Sequence, residues 1–537
     1  MRLQGAVFVV LGVIACGRPN ARKSSSELSG QQLAERYCQS CHLLPVPSQL
    51  ARETWERWML PRMARRLGVR DVTWPANQEP VEGGEGGRRI REAGVYPDTP
   101  RISRADWDKL AAYFLKEAPE SLPHAATPPV TVGLPGFRVR LPDFQIKSPM
   151  VTLVHVDSAH RRIYVGDATP GHSTLSVLDS RGHAGKIFPI PSPVSHLQLF
   201  GDTLGVLLMG KLEPHDAALG TLGLISAWRP GANPTIAWRI DSLQRPVYAS
   251  YADLNGDGIA DVVVSEFGNL TGSLTWYERL SGGSRRHVLT PQPGALTTIV
   301  GDFDGDGRPD ILALTAQGDE GISLFHGQPS GNFSREVLLR FPPSYGSTSL
   351  QLVDMNCDGY PDIVYTNGDA GDYPGPPKPY HGIRIFLNDG HWHFTEKYFF
   401  PMPGAMKAIA RDFDGDGNVD IAAISFFTDD TRRAPLPFVY LQNMGDLHFT
   451  ARTFAAADRG RWLVMDAGDI DGDGDDDIVL GSFAQPDAQP DPRQLSARWH
   501  QPGAPTVIIL ENILDTSGTA RDHEQGCGLT RRRKRDS

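Results

Sequence analysis

The feature that most constrains this chain is a nine-residue acidic motif that occurs five times between residues 253 and 477. The copies share the pattern D-x-[DN]-x-D-G-x-x-D, and each leads into a short apolar run such as DVVVS or DILAL. Their starts are 49, 52, 58 and 57 residues apart, and a period near 50 predicts a repeat architecture with one four-stranded blade per unit. The copies are DLNGDGIAD (253–261), DFDGDGRPD (302–310), DMNCDGYPD (354–362), DFDGDGNVD (412–420) and DIDGDGDDD (469–477).

The acidic positions form a candidate cation site in each copy. Oxygen ligands stand at positions 1, 3, 5 and 9, and oxygens this close repel each other unless a cation joins them. Ca²⁺ takes six to eight such ligands in irregular geometry, whereas Mg²⁺ keeps more waters, so we expect about five Ca²⁺ ions. The alternative is an acidic, solvated turn without metal. The expected ligands are Asp253, Asn255, Asp257, Asp261, Asp302, Asp304, Asp306, Asp310, Asp354, Asn356, Asp358, Asp362, Asp412, Asp414, Asp416, Asp420, Asp469, Asp471, Asp473 and Asp477.

Two details distinguish this loop from an EF-hand and its copies from each other. Glycine at position 6 permits the sharp turn in all five copies. An EF-hand needs a glutamate at position 12. The third copy departs from the pattern because Cys357 replaces glycine at position 4, so a cation is least expected there. The residues at position 12 are Val264, Ala313, Tyr365, Ala423 and Leu480, which excludes EF-hands.

The repeated loop and the strands that follow it resemble the FG-GAP/VCBS repeats of integrin α-subunit propellers and of many exported bacterial proteins. The resemblance covers about residues 130–515 and implies an all-β propeller. Segments such as SLTWYER, ISLFHG, IRIFLN and FVYLQN complete its blades. We place the propeller at residues 137–515 and expect seven blades, with eight as the alternative.

Two of the seven blades are expected to lack the acidic loop. Their strand pairs are 153–156 with 162–166, and 197–199 with 204–208. The segments at the place of the loop, 157–160 and 201–203, lack the acidic pattern, so we interpret these blades as metal-free. Residues 507–510 are the expected last strand, which closes the ring near residues 137–139.

The first part of the chain carries a different motif, Cys38-Gln39-Ser40-Cys41-His42. C-x-x-C-H is the attachment signature of c-type haem. Each thiol adds to one haem vinyl group, the two-residue gap lets both reach one edge of the ring, and His42 lies beneath the iron as proximal ligand. The alternatives are a chance match and a thioredoxin-like redox pair. We expect one covalent haem c in a small all-α cytochrome c domain over residues 27–123.

The segments around this motif are predicted to be helical. Residues 28–37 form a predicted helix that starts near Ser29 or Gly30, and residues 103–118 form a second one with Ser103 as its N-cap. The second resembles the terminal helix that packs on the N-terminal helix in class I cytochromes c. Its apolar face consists of Trp107, Leu110, Ala111, Phe114 and Leu115.

The sixth ligand of the iron is expected to be a methionine. Met59 and Met63 are four residues apart and share a face of a helix, and Pro61 is expected to start a new turn, which favours Met63. Met59 is interpreted as packing in the core. Because no histidine occurs between His42 and His124, two histidine ligands from this domain are not expected.

The N-terminus resembles an export signal. Residues 6–15 form an apolar stretch after Arg2 that is too short to span a bilayer. It ends in Val13-Ile14-Ala15-Cys16, which resembles the lipobox of bacterial lipoproteins and implies a signal peptide over 1–15 and a lipid on Cys16. The alternative is an ordinary signal peptide with a free Cys16. We expect a protein on the periplasmic or cell-surface side of a bacterial membrane, anchored by lipid.

The remaining segments are predicted to be linkers and turns. We expect a linker at 16–26, a flexible glycine-rich loop at 78–100, a proline-rich linker at 124–136, and a basic, disordered tail at 516–537 that could instead contact acidic lipid or a partner. His391 and His393 flank Trp392. A solvent-facing hairpin is preferred there over a catalytic or metal-binding pair.

Three functional hypotheses fit this domain order. The first is electron transfer, in which the calcium-binding propeller docks a redox protein or an unknown ligand, or presents the haem to a partner. The second is an oxidoreductase whose propeller oxidises a sugar or alcohol and passes electrons to the haem. Quinoprotein dehydrogenases fuse these two domain types, but their Trp-docking motifs are not evident here. The third, an adhesive propeller with a vestigial haem domain, conflicts with the intact C-x-x-C-H. An electron carrier is therefore preferred to a stand-alone catalyst.

The net charge agrees with cation-binding loops. The formal charge of −10 disfavours nucleic acid as a partner of the whole protein. The expected ligand positions hold 18 carboxylates, which exceeds this excess, and five Ca²⁺ ions would offset it. We therefore expect a calcium-loaded protein close to neutrality.

Overall fold

The computed structural model describes residues 27–70, 82–124, 126, 128–226, 235–371, 375–428, 435–484, 499, 501 and 503–514. The predicted signal peptide, Cys16, the 16–26 linker and the basic tail lie outside these residues. None of the helices in the described ranges has the length and apolarity needed to cross a bilayer.

Seven β-sheets arranged in chain order make up the larger part of the molecule, a seven-bladed all-β propeller. Blade 1 consists of β3 (Val151–Asp157), β4 (Arg162–Asp167), β5 (Thr174–Asp179) and β6 (Ala184–Pro189). Blade 2 consists of β7 (Val194–Phe200), β8 (Thr203–Leu208), β9 (Gly220–Ser226) and β10 (Thr235–Leu243). Blade 3 consists of β11 (Pro246–Ala252), β12 (Asp261–Glu266), β13 (Ser273–Leu280) and β14 (Gly283–Thr290).

The acidic copies continue this order. Blades 4 and 5 consist of β15 (Ala295–Gly301), β16 (Asp310–Thr315), β17 (Gly321–Gln328) and β18 (Asn332–Arg340); and β19 (Ser347–Val353), β20 (Asp362–Asn367), β21 (Gly382–Asn388) and β22 (Phe394–Pro401). Blades 6 and 7 contain β23 (Ala405–Arg411), β24 (Asp420–Ser425), β25 (Phe438–Asn443) and β26 (Phe449–Thr453); and β27 (Trp462–Gly468), β28 (Asp477–Ser482) and β29 (Val507–Asn512).

The ring closes by joining an early strand to the last blade. β2 (Phe137–Arg140) pairs antiparallel with β29, with Val139 opposite Leu510, and supplies the fourth strand of blade 7. The innermost strand β27 then packs against β3 of blade 1. The predicted closure of the ring and the count of seven blades are both confirmed.

One short strand lies within the predicted proline-rich linker. β1 (Thr131–Val132) pairs parallel with β26 and adds a fifth strand to the outside of blade 6. The segment that precedes the ring in the chain is thus already paired with blade 6, and β2, which follows it, closes blade 7.

The second strands of the blades form the core of the ring. β12, β20, β24 and β28 are buried at every position, because the two faces of a blade lie against its two neighbours. A strand covered on both faces has a continuous apolar run rather than an alternating pattern. This explains why each acidic loop leads into a run such as DIVLG.

The N-terminal region consists of helices around a small apolar core. The helices are α1 (Gly30–Tyr37), α2 (Arg52–Thr54), α3 (Leu60–Arg66), α4 (Gly84–Glu92) and α5 (Arg104–Glu117), and a π-helical turn, Trp55–Met59, joins α2 to α3. The core contains Leu33, Ala34, Leu50, Trp55, Leu60, Ala64, Val69, Ile102, Trp107, Leu110, Phe114 and Ala118.

The two helices predicted in this region begin at the expected caps. The Ser29 hydroxyl accepts from the Gln32 amide at 3.3 Å, and Gln32 Oε1 accepts from the Ser29 amide at 3.0 Å. The Ser103 hydroxyl accepts from the Asp106 amide at 3.1 Å. α1 and α5 then pack against each other, so these two predictions are confirmed.

The predicted loop at 78–100 contains a helix instead, so this prediction is wrong for its described part. α4 includes Gly86 and Gly87, whose lack of side chains leaves room for Glu82 rather than freeing the backbone. The ion pairs Glu85–Arg89 and Arg88–Glu92 are spaced four residues apart and stabilise the helix. Buried Ile90 fixes it to the protein.

His391 and His393 lie in the turn between β21 and β22. His393 Nδ1 is 3.0 Å from Asp389 Oδ2, and its side chain is 80% exposed. The Asp389 carboxylate also accepts from the His391 amide at 2.8 Å. The solvent-facing hairpin is the arrangement observed.

Candidate metal centres and the C-x-x-C-H segment

All five acidic loops lie at the same end of the propeller. Each loop connects the first and second strands of its blade, and position 9 is the first residue of the second strand. Because the strands of a blade alternate in direction, the loops between first and second strands share one end of the ring. Blades 3 to 7 therefore present a row of five loops, and we call this end the loop face.

The carboxylate at position 1 holds the loop in a tight turn by accepting hydrogen bonds from several amides of the loop. In blade 4, Asp302 accepts from the amides of Gly305 at 2.8 Å, Asp306 at 3.1 Å and Gly307 at 3.0 Å. This winding requires positive φ at positions 4 and 6, which are 77° at Gly305 and 84° at Gly307. In blade 5 the residue at position 4 is Cys357, which adopts φ of 60° in the region that favours glycine.

The carboxylate at position 9 anchors the loop to the blade. Asp310 is fully buried, and it accepts from the Phe303 amide at 2.9 Å and from the Gly327 amide of the third strand at 2.7 Å. The aspartates at position 9 of the other copies accept from third-strand amides in the same way, at Arg279, Asn388, Asn443 and Asn512. Position 9 therefore fixes the loop geometry as well as offering an oxygen ligand.

Predicted ligands with charged side chains come together in groups of three in blades 4, 6 and 7, and one group includes the imidazole of His326. In blades 3 and 5 position 3 is an asparagine, whose Nδ2 donates to the carboxylate at position 5, at 3.2 Å from Asn255 and 2.9 Å from Asn356. The groups whose ligand atoms all lie within 4.8 Å of one another are Asp302–Asp304–Asp306 and Asp304–Asp310–His326 in blade 4, Asp412–Asp414–Asp420 in blade 6, and Asp469–Asp471–Asp477 in blade 7.

Burial and mutual repulsion disfavour the charged form of these carboxylates. Burial, with neighbouring aspartates adding to it, raises the pKa of Asp420 to about 8, of Asp477 to about 7 and of Asp362 to about 6. The oxygens Asp412 Oδ1 and Asp471 Oδ1 are buried and have no hydrogen-bond partner in the described part of the chain. A set of hard oxygens, some of them without a hydrogen-bond donor, fits a divalent cation such as Ca²⁺.

Blade 7 carries one carboxylate more than the prediction included. Asp475, at position 7 of the loop, is 6% exposed, and neither of its oxygens has a hydrogen-bond partner among the described residues. Burial and the charges of Asp473 and Asp477 raise its pKa to about 8. The sequence run of three aspartates at 475–477 was the available signal for this position.

The C-x-x-C-H segment follows α1 directly. Cys38 begins a short 3-10 turn, Cys38–Ser40, and Cys38 and Cys41 are both free thiols. Cys41 is exposed, whereas Cys38 is half-buried against the helical core, and burial raises the pKa of its thiol to about 12. The remaining described cysteine, Cys357, is disulfide-bonded.

The ring of His42 is oriented by the chain itself. Its Nδ1 lies 2.7 Å from the Leu43 carbonyl oxygen, and since a carbonyl only accepts, Nδ1 carries the proton. Burial lowers the pKa of His42, which favours the neutral ring. The neutral tautomer leaves the lone pair of Nε2 free for a metal.

Met59 and Met63 lie in neighbouring turns of the same helical stretch. Met59 ends the π-helical turn and Met63 lies in α3, and both side chains are partly buried against the helical core. Their shared environment does not distinguish them, so Met63 as the sixth ligand stays a prediction.

The helical region packs on the end of the ring opposite the loop face. The Gln49 carbonyl accepts from the Tyr380 hydroxyl at 2.9 Å, and its side-chain oxygen accepts from the Ser344 hydroxyl at 3.2 Å. Glu82 accepts from the Asp216 amide at 2.8 Å. These propeller residues lie in turns from second to third strands or from one blade to the next, so we call this end the helix face. The sequence contains no local signal for this packing.

Comparisons with known proteins agree with the repeat assignment. Residues 253–313, 302–365 and 412–480 match the family model described as FG-GAP-like repeat, and these ranges contain all five acidic copies. These parts of the chain therefore carry FG-GAP-like repeats, within the seven-bladed propeller.

Two solved structures illustrate similar architecture at low sequence identity. The β-propeller domain of Cps50 (Swd1) from Myceliophteria thermophila is 12% identical, with a TM-score of 0.42 over 69% of this chain and 100% of that domain. The N-terminal domain of Nup159 is 10% identical, with a TM-score of 0.40 over 73% of this chain and 98% of that domain. No curated protein matches the chain.

Proposed function

We propose that this protein is an exported c-type cytochrome that transfers electrons, with the propeller as its calcium-stabilised docking scaffold. The observation that carries the proposal is the state of the C-x-x-C-H segment. Cys38 and Cys41 are free thiols separated by two residues, and the adjacent His42 keeps Nε2 unprotonated through its bond to Leu43. These residues fit covalent haem attachment with one axial ligand supplied by the chain.

The helical frame around this segment supports the same function. A Cβ atom on Gly30 would clash with the carbonyl oxygen of Lys109 and lie 2.6 Å from Cβ of Tyr113, so the glycine lets α1 approach α5 closely. Trp55 and Phe114 meet beneath this crossing with ring centroids 4.5 Å apart. Two terminal helices crossed at a glycine hold the attachment segment at the end of α1 in a fixed place.

The residues have separate roles in the proposed function. Bound haem would supply the cycling between Fe(III) and Fe(II). The two cysteines would hold it, His42 would bind its iron, and Met63 is our choice for the opposite side. The charges of Asp319 and Arg340 in blade 4 act on His42, and they would influence the charge state favoured at the proposed iron site.

The propeller contributes a scaffold whose loop face would be held by Ca²⁺. Five loops with buried or clustered oxygens would each order one turn between two strands on binding a cation. Export and a lipid on Cys16 belong to the same proposal, since haem attachment to C-x-x-C-H and calcium loading both suit an extracytoplasmic site. A redox protein bound to the propeller would then receive or supply the electrons.

The proposal is tested by expressing the full chain with its N-terminal signal in a bacterium that matures c-type cytochromes. A pyridine-hemochrome spectrum should show one covalent haem per chain, and the Cys38→Ala/Cys41→Ala variant should show none. Ser40→Ala, between the two cysteines, is the matched control and should keep the haem. A wild-type protein without covalent haem would refute the cytochrome assignment, and haem reduction by sugars or alcohols without a second protein would favour the oxidoreductase instead.

A further inference from the structure

One position of the third strand lies beside the residue that anchors the acidic loop in each of blades 3 to 7. It directly precedes the residue whose amide binds the aspartate at position 9. In blade 6 it is Gln442, whose Nε2 donates to Asp414 Oδ2 at 2.8 Å. In that blade the position therefore reaches the position-3 carboxylate of the loop. Its occupants along the ring are Glu278, His326, Leu387, Gln442 and Glu511.

Blade 4 places an imidazole at this position. His326 Nδ1 lies 3.6 Å from Asp304 Oδ2, and ligand atoms of His326, Asp304 and Asp310 all lie within 4.8 Å of one another. Asp304 also belongs to the oxygen-only group with Asp302 and Asp306. The two groups share Asp304 alone, so they define two adjacent positions for a cation.

The second nitrogen of His326 has the partner that a metal-binding histidine needs. Its Nε2 lies 3.0 Å from Glu336 Oε2 on β18, and because a carboxylate only accepts, Nε2 carries the proton. In the neutral ring the Nδ1 lone pair then points towards Asp304 and Asp310. A carboxylate behind a metal-bound histidine is the usual arrangement that fixes the ring and its tautomer.

The separation of Nδ1 and Asp304 Oδ2 is compatible with a small ion, and the donor types select the class of metal. Metal–ligand bonds of about 2.0–2.1 Å at tetrahedral angles place two ligands about 3.4 Å apart, close to the observed separation of Nδ1 and Asp304 Oδ2. One nitrogen and two carboxylates are a donor set for divalent ions of the zinc class, whereas Ca²⁺ prefers oxygens alone.

We propose that blade 4 binds a divalent transition-metal ion of the zinc class between Asp304, Asp310 and His326. Glu336 is the positioning residue that holds the imidazole. This site lies beside the oxygen-only calcium position of the same loop and goes beyond the proposed electron transfer. It distinguishes blade 4 from the four other acidic blades.

The test uses the full chain with Cys38→Ala and Cys41→Ala, so that neither haem absorption nor the C-x-x-C-H thiols interfere. With excess Ca²⁺ present to fill the oxygen-only loops, Co²⁺ is titrated and the visible bands of a low-symmetry nitrogen–oxygen site are followed. We expect one Co²⁺ per chain that Zn²⁺ displaces. Absence of these bands, together with absence of Zn²⁺ binding by calorimetry, would overturn the proposal.

His326→Gln supplies the matched variant, because blade 6 already carries Gln442 at this position. It should abolish the Co²⁺ bands and leave Ca²⁺ binding and the far-UV circular dichroism unchanged. Glu336→Gln should keep the bands and weaken Zn²⁺ binding about 10-fold to 100-fold. If both variants bind Zn²⁺ as the wild type does, the assignment is wrong.

A further variant separates this inference from calcium binding. Asp302→Asn should remove one Ca²⁺ and retain the Co²⁺ bands, because Asp302 belongs only to the oxygen-only group. Loss of the Co²⁺ bands in this variant would contradict two adjacent sites. A chain that binds Zn²⁺ but no Ca²⁺ would refute the calcium scaffold and leave the zinc-class site standing.

Discussion

Removing calcium should make the stability of this protein fall as pH rises. Asp420 is fully buried in blade 6, and burial with neighbouring carboxylates raises its pKa to about 8, from an ordinary value of 3.8. Between these two values the folded state holds a proton that the unfolded state has released. A raised pKa of a folded carboxyl therefore gives stability that is complete below about pH 4 and is lost by about pH 8.

The size of the effect follows from the pKa change. One proton held only by the folded state changes the free energy of unfolding by about 1.4 kcal/mol per pH unit, and four units amount to about 5–6 kcal/mol. Asp477 in blade 7, with a pKa of about 7, adds a similar slope over a shorter range. A bound Ca²⁺ replaces the proton and leaves the carboxylates ionised, so the slope should disappear.

The assay is urea unfolding at about pH 5, 6 and 7, in EDTA and in excess Ca²⁺, followed by circular dichroism of the strands. In EDTA the Asp420→Asn variant should lose about 1.4 kcal/mol per pH unit of slope relative to wild type. Asp446→Asn, an exposed residue of the same blade, is the control and should leave the slope unchanged. A flat or rising stability in EDTA, or an equal slope with Ca²⁺, would refute the reasoning.

Three further predictions concern the helical region and blade 7. Gly30→Ala should destabilise the crossing of α1 and α5 by about 1–3 kcal/mol, because a Cβ at this position has no room. Gly83→Ala is the control: a Cβ there meets nothing within 4 Å, so stability should change by less than about 1 kcal/mol. Both are measured by thermal unfolding of the haem-loaded protein. Met63→Ala should abolish the weak far-red absorption of the ferric protein, and Met59→Ala should keep it; the reverse pattern would exchange their roles. Asp475→Asn should raise the melting temperature in EDTA, because it relieves the repulsion from Asp473 and Asp477. It should also reduce the further rise in melting temperature on adding Ca²⁺. An unchanged rise would exclude Asp475 from the cation site.

Local signals predicted the features that depend on neighbouring residues in the chain. Ser29 and Ser103 start their helices because a cap acts within four residues. The acidic loop is likewise a local structure, since Asp302 binds amides three to five residues away. Such contacts form in the same way wherever the nine-residue pattern occurs, which is why five copies together identify both the loops and the blades.

Features that depend on distant contacts were not predicted. The glycines of α4 suggested a loop because their packing against Glu82 is invisible in composition. His326 follows the loop of its blade by sixteen residues, and only the pairing of β16 with β17 brings it beside Asp304. The attachment of Gln49 to Tyr380 spans 331 residues of chain. The contacts of His326 and Gln49 are set by the closed ring rather than by a short motif.

The two ends of the ring divide the chemistry of the protein. A blade strand of six residues spans about 20 Å, so the cation loops lie at least that far from the segment at His42. At physiological ionic strength exposed charges are screened over about 8 Å, and cations on the loop face therefore exert little field at the helix face. Asp319 and Arg340 act on His42 directly and are part of blade 4. Calcium would thus stabilise the ring, while the turns of the helix face would set the electrostatics around the proposed haem. A redox partner of the proposed cytochrome would then bind at that end.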